Sequence, residues 1–224
     1  VSATVADAEG IKTVGLLYRV AGSGRESAEA RIAMQRKSGD DKKGVYEAIL
    51  DGQPPAQLVR FRIEAVSSTG VERIQPSPNE PRPTFSYYTV AVTNSARVPF
   101  GLVIGVGKPE RGVSQWGGNP RSGRSPGGPT RGQSAFVYIP PDGGEVQVFD
   151  HVRVVPRHGG FKVHFHKDKP LHEMTGINLI SEGPPRWVLS EPLAYELYRM
   201  SGVPAPQTEH VRIWMDGRPL GYLL

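Results

Sequence analysis

Short stretches of alternating apolar and polar side chains run through the first part of the chain. Val14, Leu16, Tyr18 and Val20 alternate along KTVGLLYRV, and Ile32 and Met34 do so in ARIAMQR. Val59, Phe61, Ile63 and Ala65 are separated by Arg60, Arg62 and Glu64. Successive strand side chains point to opposite faces, so each stretch predicts a strand with one buried face and one wet face. Turn-forming clusters at Ala21–Gly24, Ser38–Asp41 and Asp51–Pro55 punctuate them. Beyond the proline-rich run Gln75–Pro83, Phe85, Tyr87 and Val90 resume the strand composition, so a last strand is expected over Thr84–Val92 and a boundary near Asn94.

Strands of this length and spacing predict an antiparallel β-sandwich of immunoglobulin or fibronectin type over residues 1–94. Residues 95–134 read as a basic linker. Residues 101–132 alone hold ten glycines, four prolines and five basic residues against one acid, Glu110. GVGKPERG within this segment is not a phosphate loop: Glu110 stands where G-x-G-x-x-G needs glycine, and Pro109 follows Lys108 where Ser or Thr is required.

Strand patterning returns from Ala135 in AFVYIP, EVQVFDHVRVVP and FKVHFHK, with a further strand expected over Thr175–Ile180. A helix should begin near Ser190, a potential cap, with Pro192 tolerated in its first turn. Leu193, Leu197 and Met200, widened by Ala194 and Tyr198, mark the face expected to be buried, which leaves Glu196 on the surface. Gly202, Pro204 and Pro206 end the helix. Val211, Ile213 and Met215 then alternate up to Asp216-Gly217, a strong hairpin signal, and Pro219–Leu224 forms the return strand. The whole reads as mostly β, with an α+β second part over residues 135–224.

Composition narrows the chemistry. The 224 residues contain no cysteine, which removes disulfides, thiolate metal sites and cysteine nucleophiles. No run approaches the ~18 apolar residues of a membrane-spanning helix. A formal charge of +5 suits phosphates or an anionic surface, but no RRM, KH or zinc-finger pattern accompanies it, so no specific nucleic-acid partner is expected. No nucleophile-elbow serine motif is present. His164 and His166, two apart on a strand, share a face, and His151 and His158 lie near in sequence. No acid stands at a convincing ligand spacing, so these histidines are read as packed or solvated and no metal site is assigned.

The run LSEPLAYELYRMSGVPAPQTEHVRIWMDGRPLGYLL, Leu189 to Leu224, resembles the signature of the spore-coat CotH kinase family, centred on the unusual GVPAP. The resemblance implies that residues 135–224 are the front part of a kinase-like domain: a partial small lobe of antiparallel strands, one main helix and a hairpin. It implies ATP and Mg2+ as cofactors, Ser or Thr hydroxyls of exported, coat or envelope proteins as acceptors, and a bacterial cell-envelope or secreted location. In phosphoryl transfer of this kind a strand lysine neutralises phosphate oxygens and a helix acid holds the lysine. Lys162 and Glu191 match those positions, and Arg153, Arg157 and Lys167 are further candidates for a cationic phosphate site. Read from the residues alone, Lys162 is equally an exposed strand lysine and Glu191 an acid favouring a helix N-terminus. The family's metal-binding and catalytic acids lie beyond the signature. The chain is therefore expected to be a fragment that carries no catalytic residue and is inactive by itself. The competing expectation is a non-catalytic surface or adhesion module.

Overall fold

The computed structural model describes residues 1–90, 97–106, 134–157, 159–181 and 189–224. The chain divides between Val92 and Thr93 into two compact units. The boundary expected near Asn94 and the end of the strand expected over Thr84–Val92 lie outside the described residues, as does 107–133 of the glycine-rich segment.

The first unit contains β1 (Ser2–Ala6), β2 (Ile11–Gly22), β3 (Arg25–Glu26), β4 (Ala30–Ala33), β5 (Gln35–Gly39), β6 (Lys43–Glu47), β7 (Leu58–Ser67), β8 (Glu72–Gln75) and β9 (Phe85–Tyr88). They form two antiparallel sheets, one ordered β1-β6-β5 and the other β3-β2-β7-β8, with β4 paired to β2 and β9 to β7. Val14 and Leu16 of β2, with Met34, Tyr46 and Ala48, make a shared core against which Val5, Ile32, Phe61 and Ile63 pack. The alternation in the sequence thus corresponds to the two faces of β2 and β7.

The outer face of that second sheet carries charge. Register sets Arg19 directly opposite Arg60 and Leu17 opposite Arg62. Facing like charges destabilise a sheet, and acids relieve them here. Glu26 reaches both Arg19 (3.7 Å) and Arg60 (3.1 Å), Glu29 reaches Arg19 (3.3 Å) and Arg62 (2.6 Å), and Arg31 pairs with Glu64 (2.8 Å).

The second unit contains β10 (Phe100–Gly105), β11 (Ser134–Ile139), β12 (Gln147–Arg157), β13 (Gly160–His164), β14 (Gly176–Ile180), α1 (Ser190–Met200), β15 (Val211–Met215) and β16 (Arg218–Leu223). One seven-stranded sheet runs β14-β13-β12-β11-β10-β15-β16, antiparallel except for the parallel pair β10–β15. Its outer strands meet: Ile180 and Leu224 exchange backbone hydrogen bonds of 2.8 and 3.0 Å, so the sheet curls round on itself. The inward residues Val103, Phe136, Phe149, Val154, Val163, Leu179, Ile213 and Leu223 belong to one core, as the alternation of a curled sheet requires.

Two features depart from the sequence expectations. Phe100–Gly105, assigned above to the basic linker, is a central strand, β10. Gly101 is there for space: a Cβ on it would lie 2.6 Å from Ile213 Cδ1 and 3.1 Å from the Phe136 ring. The helix forms over the expected residues, but Leu189 rather than Ser190 precedes its first turn, and no side chain caps it. Its apolar stripe is also exposed, with Leu193 at 59%, Leu197 at 63% and Met200 at 77% accessibility. The half-buried positions are Glu191, Pro192, Ala194 and Tyr195, on the opposite side of the helix. Gly202 ends it as expected, with φ of +73° and a bond from Val203 N–H to the Tyr198 carbonyl.

Candidate functional site

The β12–β13–β14 meander decides where the candidate cations point. Phe161 and Val163 face the core, so Lys162 and His164 must face outward. On β12, Arg153 lies opposite His164, Val155 opposite Lys162 and Arg157 opposite Gly160. On β14, Gly176 lies opposite His164 and Asn178 opposite Lys162. Arg153, Arg157, Lys162 and His164 therefore share one outer face. Gly160 holds β13 close to β14, because a Cβ there would fall within 1.9 Å of the Leu179 carbonyl oxygen. Gly176 brings no side chain to that face: a Cβ there would sit 3.2 Å from the Val163 carbonyl oxygen, 3.7 Å from Lys162 Cε and 3.8 Å from His164 Nδ1, so the lysine stem and the ring lie beside bare backbone.

Electrostatics distinguishes this face from the arginine-rich face of the first unit. There every facing arginine has a glutamate within 4 Å. Among the described residues, no carboxylate forms an ion pair with Arg153, Arg157 or Lys162. Partial burial holds His164 below the ordinary imidazole value, and the positive charges of Lys162, Arg153 and Arg157 depress it further. Three cations and an imidazole kept neutral make a face that can receive an anion.

The other predicted residues lie elsewhere. Lys167 is exposed in the turn that follows β13. Glu191 is half-buried in the first turn of α1, and no Lys162–Glu191 ion pair occurs among the described residues.

The remaining histidines diverge. The His166 ring donates from Nε2 to the His151 carbonyl at 2.8 Å. His151 is buried at an irregularity where β12 shifts register against β11, with φ of 55°. Its N–H donates to Asp150 Oδ1 at 2.7 Å, and its Nε2 lies 3.6 Å from Asp150 Oδ2. This buried Asp150–His151 pair was not singled out by sequence reasoning, although two adjacent polar residues that break the alternation of EVQVFDHVRVVP are its visible trace. His158 lies outside the described residues. Among the described residues, no group of three or more His, Asp or Glu is placed to hold a metal ion, and no helix is long and apolar enough to cross a membrane.

Comparison of the chain with protein-family models, curated proteins and solved structures finds no match.

Proposed function

We propose that the second unit is the phosphate-binding part of a CotH-like phosphotransferase and that the outer face of β12–β14 receives the polyphosphate of ATP. The observation that carries this reading is the convergence of Arg153, Arg157 and Lys162 around His164, with no carboxylate among the described residues forming an ion pair with them. Phosphoryl transfer depends on positioning and charge neutralisation, and cations placed side by side by strand register can supply both. The Leu189–Leu224 resemblance supplies the reaction class: transfer to Ser or Thr of exported coat or envelope proteins. Mg2+ would arrive with the nucleotide and be held by acids that the resemblance places beyond the signature. Glu191 would orient Lys162 in such an enzyme. Because that pairing is not among the ion pairs of the described residues, the nucleotide reading rests on the cationic face. The first unit would be an accessory module of immunoglobulin or fibronectin kind.

The test is calorimetric titration of the chain with Mg-ATP, alongside Lys162→Ala and Arg153→Ala. Binding should weaken by roughly tenfold for each removed cation, a loss of about 1.4 kcal/mol. The chain alone should transfer no phosphate. Absence of binding, or binding indifferent to both substitutions, removes the nucleotide reading.

One observation favours a second reading, a binding module without catalysis: the exposed Leu193–Leu197–Met200 stripe of α1 has the form of a protein-docking face. Failure of Mg-ATP to bind would leave this reading standing.

A further inference from the structure

The imidazole of His164 stands among the cations of the phosphate reading, which gives it no ligand role of its own. It lies directly across from Arg153, shares the outer face of β13 with Lys162, and has Nδ1 beside Gly176. The groups facing it are Arg153 and Arg157 from β12, Lys162 from β13, and the uncharged Gly176 and Asn178 from β14. His166, two residues on and beyond the end of β13, is engaged with the His151 carbonyl.

We propose that His164 is a fourth ligand of the anion site, taking up a proton from solvent as a doubly charged tetrahedral oxyanion settles on the outer face above Gly176, within reach of its ring and of Lys162. The proposal rests on the phosphate reading and adds the ligand class: the terminal, dianionic phosphate of a nucleotide, or another group of the same charge and shape. In the free site partial burial opposes a positive charge on the ring, and the charges of Lys162, Arg153 and Arg157 oppose it further. A dianion reverses the local field, so the imidazolium becomes favourable and its Nδ1–H can donate to an anion oxygen. The proton balance is simple: one H+ leaves the buffer and one imidazolium forms, with no covalent change.

Linkage fixes the direction. The free-site value lies below about 6.5 and the complex lies higher, so affinity should rise as pH falls between the two values, by up to about tenfold per pH unit. Sulfate is the deciding probe, because it stays a dianion across the range of about pH 5 to 8 in which histidine titrates. ATP and tripolyphosphate serve beside it to separate nucleotide recognition from simple oxyanion capture.

The experiment is calorimetry of the 224-residue chain with sulfate, tripolyphosphate and ATP at several pH values and in two buffers of different ionisation enthalpy. NMR titration of the His164 ring protons, with and without sulfate, accompanies it. Net proton uptake on sulfate binding, an upward shift of the His164 titration, and loss of both the uptake and the pH slope in His164→Gln are expected. Glutamine keeps a hydrogen-bonding group but cannot titrate. Sulfate and ATP binding that depends on Lys162 but shows no proton uptake, with an unmoved His164 titration, overturns the role of His164 and leaves the phosphate reading intact. No binding of any of the three anions overturns both. The NMR arm uses wild-type protein, so the outcome does not depend on the variant folding.

Discussion

Replacing Gly101 with alanine tests whether β10 is a packed central strand. The added Cβ would stand 2.6 Å from Ile213 Cδ1 and 3.1 Å from two Phe136 ring carbons. Ordinary carbon–carbon contact is about 3.5–4.0 Å, so the overlap with Ile213 is about 1 Å. Both neighbours are essentially inaccessible, Ile213 at 0% and Phe136 at 1%, so neither can swing into solvent. Forcing one extra methyl into such a core costs roughly 1–3 kcal/mol. Loss of glycine's freedom in the unfolded chain returns about 0.4–1 kcal/mol. The expected net destabilisation is about 1–2 kcal/mol. Urea unfolding followed by tryptophan fluorescence is the assay, since Trp214 lies in β15, the strand that pairs with β10, and residues 1–92 contain no tryptophan. With a slope of about 2 kcal/mol/M, the midpoint should fall by roughly 0.5–1 M. Ile213→Val removes the clashing carbon and alone should cost about 0.5–1.5 kcal/mol. Combined with Gly101→Ala it should cost at least about 0.5 kcal/mol less than the two single effects added. A Gly101→Ala protein as stable as the parent, or strict additivity in the pair, would refute the packing argument.

Gly160→Ala should be more severe, because the obstacle 1.9 Å away is the Leu179 carbonyl oxygen rather than a side-chain tip. A loss beyond the usual ~3 kcal/mol, together with loss of anion binding, is expected in the same unfolding and titration assays. In the first unit, Glu29→Ala takes a shared partner from Arg19 and Arg62. It should lower thermal stability by about 0.5–1 kcal/mol, and the deficit should shrink in high salt; a salt-independent deficit would point to packing. His164 has a folded-state value depressed below its ordinary 6.5, so the unfolded chain holds its proton more tightly. Its stability contribution is complete above the unfolded value and is lost as pH falls through the folded one. Unfolding curves of the parent and His164→Gln should therefore diverge only in the acidic part of a pH series, and curves that run parallel would contradict the assignment.

Local grammar made part of this molecule readable. Alternation along Val14–Val20 and Val59–Ala65 corresponds to the buried faces of β2 and β7 because a two-residue period has only one burial solution. Asp216 and Gly217 both adopt positive φ, 50° and 78°, as a two-residue hairpin needs. What local grammar could not supply was pairing at a distance. β10 was hidden by its glycines, and its parallel partner β15 lies across more than half of the second unit. The α1 stripe has helical spacing, but periodicity says which residues share a face and not whether anything covers it. Likewise Lys162 and His164, or Arg153 and Arg157, could be placed on common strand faces by their spacing alone. Their convergence needed the register of β12 against β13, which sets Arg153 opposite His164. The Lys162–Glu191 pairing came from resemblance, and no local rule bears on it.

Chemical-shift mapping with Mg-ATP tests the anion face most directly. Addition of nucleotide should move the side-chain Nε–Hε resonances of Arg153 and Arg157, the ring of His164, and the amides of Gly160, Gly176 and Asn178, with those of the first unit unchanged. Saturable shifts confined to other parts of the chain, or no shifts at all, would contradict the claim that β12–β14 is built to receive phosphate.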